Sequence, residues 1–390
     1  MALSVSRQLT CLRAPVAETF ILMKTISETL QDHSEWRELP LPRTGSGRAL
    51  RIELQRRLKD SLFKVLQEIE RVIPEPLTQE RALVEALDPS RRYAPDPYFA
   101  YFSLLESMTR SDALAVVQRR KALRDCLHAP YCDEFEIRQG VDDITLSFIR
   151  ARHKTSESDV SRADFSSSGV ERRAQTGGHF PAVDPSAALT AARHCAATKT
   201  LIAARYPDLA DELDSIVSVV QLMPPSFSAE AASSLSSFGM ILVRPLQHAS
   251  EHHQRLFYFD RLVHEASHLY LNLLMTFDPL VTNGSALAPS PARQTLRPVK
   301  GVLHAHFVFF RLLYAYRSAP ELAGDAHERG RSAESAAHLP IGALPLSFHT
   351  RQAAYAARFM QGDAILRSHA EFTERGRIFL ESMKEAVQHV

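Results

Sequence analysis

His264-Glu265-Ala266-Ser267-His268 sets two imidazoles four residues apart, with a carboxylate directly after the first. On an α-helix, positions i and i+4 lie about 40° apart around the axis and about 6 Å apart along it, so both rings can reach one metal ion. Glu265 projects about 100° from His264. From there it can act on a metal-bound water or brace a ligand. Three fixed letters in five also occur on buried helices whose histidines are merely hydrogen-bonded. The surroundings favour a metal: Leu262, Val263, Leu269, Leu273 and Leu274 give the segment from Asp260 to Phe277 an apolar surface, and an apolar stretch precedes it.

Such a site needs a third protein ligand, and its identity separates the metal families. The metzincin pattern asks for Gly and His three and six residues after the second histidine; here those positions hold Leu271 and Leu274. The thermolysin pattern asks for a later glutamate, and the first one after Glu265 is Glu321. Before it, the candidates are Asp278, His304 and His306. Asp278 precedes Pro279 and should end the helix. Leu296 to Arg311 reads LRPVKGVLHAHFVFFR, where Pro298 marks a helix start. On that helix His304 and Arg311 share a face, and His306 points elsewhere. His304 is therefore the choice for third ligand. Arg297 and Arg311 are candidates to grip a carboxylate with their planar forks, each with surface ion pairing as the ordinary alternative.

The elements that would hold these residues are mostly helical. Leu50 to Val72 carries apolar residues at helical spacing, with Pro74 and Pro76 beyond it, and Ser111 to Leu127 repeats the pattern with Ser111 or Asp112 as cap. Arg119, Arg120, Lys121 and Arg124 read as a solvated face, with peptide docking as the alternative. Lys154 to Pro185 shifts to Ser, Gly, Arg and Asp, the composition of a loop. Helical spacing returns from Ala187 to Val220 with a break near Pro207, and again from about Asp363 to Val387. Phe238 to Leu246 (FGMILVRPL) reads as a strand, and Pro245 points to a sheet edge. The expected organisation is a helical region over 1–150, a linker over 151–185 and a metal-binding catalytic region over 186–390. The expected fold is mainly α with a small antiparallel sheet, a zincin-like strand preceding the metal helix.

Composition bounds the function classes. In 390 residues the hydrophobic share is 45% and the charged share 23%, which places the chain among globular proteins. Charge sums to 46 − 45 = +1, so no global field draws it to nucleic acid or an anionic membrane. No run of about 18 apolar residues is present for a membrane span. The first residues lack the apolar core of a secretory signal, and the four cysteines, at 11, 126, 132 and 195, do not match zinc or redox spacings. Reduced thiols in a cytoplasmic protein are expected. Asn283-Gly284-Ser285 reads as a turn.

The stretch HEASHLYLNLLMTFDPLV followed by LRPVKGVLHAHFVFFRLL resembles the HExxH-motif proteins of peptide-modification gene clusters, over about Phe238 to Tyr316. That family includes iron(II)- and 2-oxoglutarate-dependent enzymes that β-hydroxylate ribosomally made precursor peptides. The resemblance carries over to His264, Glu265 and His268 and to the segment from Arg297-Pro298 through His304. It implies Fe(II), 2-oxoglutarate and O2, a precursor peptide as partner, and an arginine such as Arg297 or Arg311 on the co-substrate's distal carboxylate, with Arg244 next. An imidazole third ligand departs from the usual two-histidine, one-carboxylate triad. Two other readings stand beside it: a zinc metallopeptidase with Glu265 as general base, and a silent peptide-binding scaffold.

Overall fold

The computed structural model describes residues 33–71, 76–110, 112–139, 183–225, 227, 229–247, 249–317, 319, 322 and 347–388. The expected linker lies outside the described residues up to position 182.

The amino-terminal layer comprises α1 (His33–Trp36), α2 (Ser46–Glu70), α3 (Thr78–Glu85), α4 (Pro95–Thr109) and α5 (Ala113–His128). On α2, Leu54, Leu58, Leu62, Val65, Leu66 and Ile69 are all buried, so the stripe read from the sequence is the face turned to the core. At the start of α5 the Asp112 carboxylate accepts the Ala115 N–H at 3.0 Å, which satisfies one of the helix's free donors. Ser111, the other candidate cap, lies outside the described residues. The basic face of α5 is partly engaged, since Arg120 donates to buried Glu80 at 2.8 Å.

After β1 (Glu136–Arg138) come α6 (Pro185–Arg205), α7 (Pro207–Ile216), β2 (Val219–Leu222), β3 (Ala231–Ser233) and β4 (Met240–Val243). The helical reading to Val220 stops short, because β-branched Val219 and Val220 belong to a fully buried strand. The sheet order is β1-β2-β4-β3. β2 runs parallel to β1 and β4, and β3 runs antiparallel to β4, so this sheet is mixed. The expected edge position of the Phe238–Leu246 strand is corrected: β4 is interior, and β1 and β3 are the edges. Pro245 follows the last paired residues, so it removes no donor from the ladder. Arg244 N–H still donates to the Glu230 carbonyl at 2.9 Å.

The chain continues through α8 (Glu251–Leu274), the antiparallel hairpin β5 (Leu287–Ser290) and β6 (Arg293–Pro298), α9 (Val299–Arg317), α10 (Phe348–His369) and α11 (Glu374–Gln388). Asn283 forms the expected turn, with its side chain donating to the His369 carbonyl. The single terminal helix expected from Asp363 to Val387 is two. Thr373 Oγ1 accepts the Gly376 N–H at 2.9 Å and starts α11 afresh. A Cβ at Gly376 would sit 1.9 Å from the Leu280 carbonyl oxygen, so only glycine allows that close approach.

One apolar core runs through both halves and includes Trp36, Leu62, Leu104, Leu213, Phe259, Phe309 and Met383. Arg57 of α2 donates to the Thr276 carbonyl at 3.0 Å and covers the Phe277 ring, just past the end of α8. The amino-terminal helices are thus a supporting layer for the helix that carries His264 and His268. Cys126, Cys132 and Cys195 are free thiols. Among the described residues no helix is long and apolar enough to cross a membrane.

Candidate metal centre

Ser250 caps α8 by accepting the His253 N–H, and the helix then runs for 24 residues with one flank against the sheet and the other against α9. That course puts the His264 and His268 rings 5.0 Å apart, centroid to centroid. α9 delivers His304 to the same place: its ring centroid is 5.4 Å from that of His268, and the two Nδ1 atoms are 3.2 Å apart.

The other candidate third ligands are committed elsewhere. His306 is fully buried on the opposite side of α9, stacked on Phe359 at 4.3 Å. Gly362 makes room for it, since a Cβ there would lie 2.9 Å from His306 Nδ1. Asp278 accepts the Leu280 N–H and the Thr373 hydroxyl, both at 2.7 Å, and so fixes the turn after α8.

The electrostatics keep the imidazoles in the form that binds metal. Burial, and then the Arg261 cation, push His264 well below the ordinary histidine range. Burial, and then His268, do the same for His304, with Lys300 and Arg297 adding to the effect. A neutral imidazole keeps a lone pair for a metal. His264 Nδ1 is buried without a hydrogen-bond partner, the condition of a group that lacks a ligand. As the side chains stand, no three His, Cys, Asp or Glu residues among those described are disposed around one ion position. The donor set itself, three imidazoles from two helices, suits iron(II) or zinc.

Behind the histidines lies a buried charge cluster that the motif does not announce. Asp260, one turn before His264, accepts from Arg261, Arg351, Tyr316 and Tyr355. Tyr316 comes from α9 and Arg351 and Tyr355 from α10, so one carboxylate ties both helices to α8. The i−4 spacing from His264 was available in the sequence. The partners on α10 were not, because that segment has little amphipathic pattern.

Glu265 is almost completely buried and accepts the Ser233 hydroxyl at 2.7 Å. It anchors α8 to edge strand β3. Arg311, the other candidate co-substrate anchor, has its guanidinium buried and paired with the equally buried Glu212 of α7, and it lies over the Tyr270 ring. Arg244, the next in line, donates to the Phe227 carbonyl. Arg297, paired with Ala288 across the hairpin, turns its guanidinium onto the first turn of α9, close to Gly301.

Comparison with models of known protein families gives no match, and neither does comparison with curated proteins.

Proposed function

We propose that this protein is an iron(II)- and 2-oxoglutarate-dependent enzyme that β-hydroxylates a side chain of a ribosomally made precursor peptide, acting in the cytoplasm. The reading rests on one observation above others: His304 meets His268 beside His264, with the Arg297 side chain against the first turn of the same helix. His264, His268 and His304 would hold the iron, leaving positions for a bidentate 2-oxo acid. Iron(II), with O2 and 2-oxoglutarate, supplies the oxidation of an unactivated C–H bond.

The chain's own residues bind and orient. Arg297 carries a planar fork suited to a carboxylate. Asp260 and its partners fix the helix that carries His264 and His268. Glu265, held by Ser233, serves as a brace for α8, which supports hydroxylation over a peptidase reaction needing that carboxylate as a mobile general base.

The deciding assay incubates the protein and a candidate precursor peptide with iron(II), ascorbate, O2 and 2-oxoglutarate and reads intact mass. Addition of one oxygen atom with matching succinate is the expected result. Zinc-dependent cleavage of the peptide without 2-oxoglutarate would replace this reading with that of a zinc metallopeptidase.

A further inference from the structure

The buried arginines Arg57, Arg261, Arg311 and Arg351 each meet a carboxylate. Arg51, on the buried face of α2, meets none among the described residues. Its Nη1 donates to Gln55 Oε1 at 2.8 Å and to the Arg91 carbonyl at 3.1 Å, and its Nη2 donates to the Ser90 carbonyl at 3.4 Å. All three acceptors are neutral. The groups acting most strongly on this guanidinium are Tyr98, Arg92, Arg48 and Tyr93, and two of those are further cations. Arg92 itself donates to the carbonyls of Cys132, Asp133 and Asp214, so it brings no anion with it.

The third donor position of Arg51, Nε–H, has no hydrogen-bond partner in the protein, and neither do the hydroxyls of Tyr93 and Tyr98. Arg51 is 6% exposed and the two tyrosines 2% each, so water does not reach these donors from the surface. They belong to one place between α2 and α4. The Tyr93 and Tyr98 rings lie 6.4 Å apart, and the Tyr93 N–H reaches the same Gln55 Oε1 that Arg51 uses, at 3.4 Å. Each phenol feels both the other group and the Arg51 charge, or that charge and its own neighbours, and burial keeps both protonated. A buried charge is costly unless it is paired, and buried donors without acceptors add to that cost.

We propose that Arg51 Nε, Tyr93 Oη and Tyr98 Oη hold one small monovalent anion, chloride in the first instance, between α2 and α4. One guanidinium matches one negative charge. Three donors and no carboxylate suit a ligand that only accepts, and the positive edges of the two aromatic rings add to the attraction. A water molecule would satisfy the donors and leave the cation uncompensated. The enclosure excludes a larger acid. A bound anion fixes α2 against α4, and α2 carries Arg57, which braces the end of α8.

Urea denaturation of the full chain, with chloride replacing gluconate at constant ionic strength, tests the site. An anion that binds only the folded chain lowers the unfolding constant about tenfold for each tenfold rise in chloride above its Kd. Tyr98→Phe keeps the ring and removes one donor. It is expected to move the onset of that response to chloride about tenfold higher, the loss of one hydrogen bond to a charged group. Salt effects unrelated to the site are common to both proteins and cancel in the comparison. Arg51→Met should lose the response altogether, and if it does not fold, Tyr98→Phe decides. Bromide should act as chloride does. Equal stability of the original protein in chloride and gluconate overturns the assignment and gives the three donors to water. A chloride response that Tyr98→Phe leaves intact also overturns it, because the anion then binds elsewhere.

Discussion

Nδ1 of His268 lies 3.2 Å from Nδ1 of His304, although 36 positions separate them in the chain. At that distance one nitrogen carries a proton and the other accepts it. A second proton between the two Nδ1 atoms would set two N–H groups face to face, so only one of them carries a proton. The contact also fixes the register of α9 against α8, because sliding α9 by one residue turns His304 away and brings an apolar neighbour in its place.

His304→Ala is therefore expected to weaken iron(II) binding as severely as His268→Ala, by at least about 100-fold, the upper range for losing even an outer partner of a metal ligand. His306→Phe, which keeps the stack on Phe359, should bind iron normally. Anaerobic iron titration of the three variants checks this, and near-normal binding by His304→Ala would remove it from the ligand set.

The histidine pair on α8 was readable because its geometry is local: five residues on a helix settle where two side chains point. His304 was readable for the same reason one step removed, since Pro298 marks the start of α9 and fixes the phase at which 304 and 306 diverge. Arg311 was not, because its partner Glu212 lies 99 positions away and no local pattern reports a pairing made by packing α9 on α7. The place of β4 inside the sheet depends likewise on β2 and β3 arriving on either side. The split of the last helix follows from a threonine cap and a glycine pressed on Leu280, a tertiary contact absent from the helical periodicity.

The Arg311–Glu212 pair gives a stability prediction with a built-in control. Arg311→Met alone leaves a buried carboxylate without its partner, and is expected to destabilise the protein by about 3–5 kcal/mol. Adding Glu212→Leu should recover most of that loss, since an apolar pair of similar volume suits the site. Urea denaturation of both variants measures the difference. Arg311→Lys should leave 2-oxoglutarate affinity unchanged.

Asp260 carries a pH prediction. Burial alone would raise its carboxyl pKa, but Arg261 and Arg351 overcome that and hold it well below the ordinary carboxylate range. A carboxyl depressed in the fold contributes stability above its unfolded pKa of about 4 and loses it as pH falls further. Unfolding free energy should therefore drop below about pH 4, and more steeply in the original protein than in Asp260→Asn. At neutral pH the variant should be less stable by about 3–5 kcal/mol, because Arg261 and Arg351 lose the anion they share.

The thiols should be unreactive in the fold. Burial pushes Cys195 and Cys126 up to about 12, and Cys132 to about 11. The thiolate is the reacting form, and at pH 8 a thiol with a pKa near 12 is ionised about a thousandfold less than an ordinary one. Iodoacetamide followed by peptide mass mapping should label these three residues slowly in the native protein and rapidly in urea.

Glu265 decides between the two chemistries open to an HExxH helix. Its Oε2 accepts the Ser233 hydroxyl at 2.7 Å, and Ser233 belongs to the edge strand of the sheet. A glutamine at 265 offers the same hydrogen bond through its carbonyl oxygen, so the brace between α8 and β3 survives the loss of charge. Glu265→Gln is then expected to keep its iron content and most of its peptide hydroxylation. Glu265→Ala should lose both in part and unfold at a lower temperature. A general base behaves otherwise: removing its charge alone lowers turnover by about 100-fold or more, with metal content intact. Turnover, iron content and Tm measured on the glutamine and alanine variants separate the cases, and a glutamine variant that is folded, metal-loaded and inactive would make Glu265 a catalytic base after all.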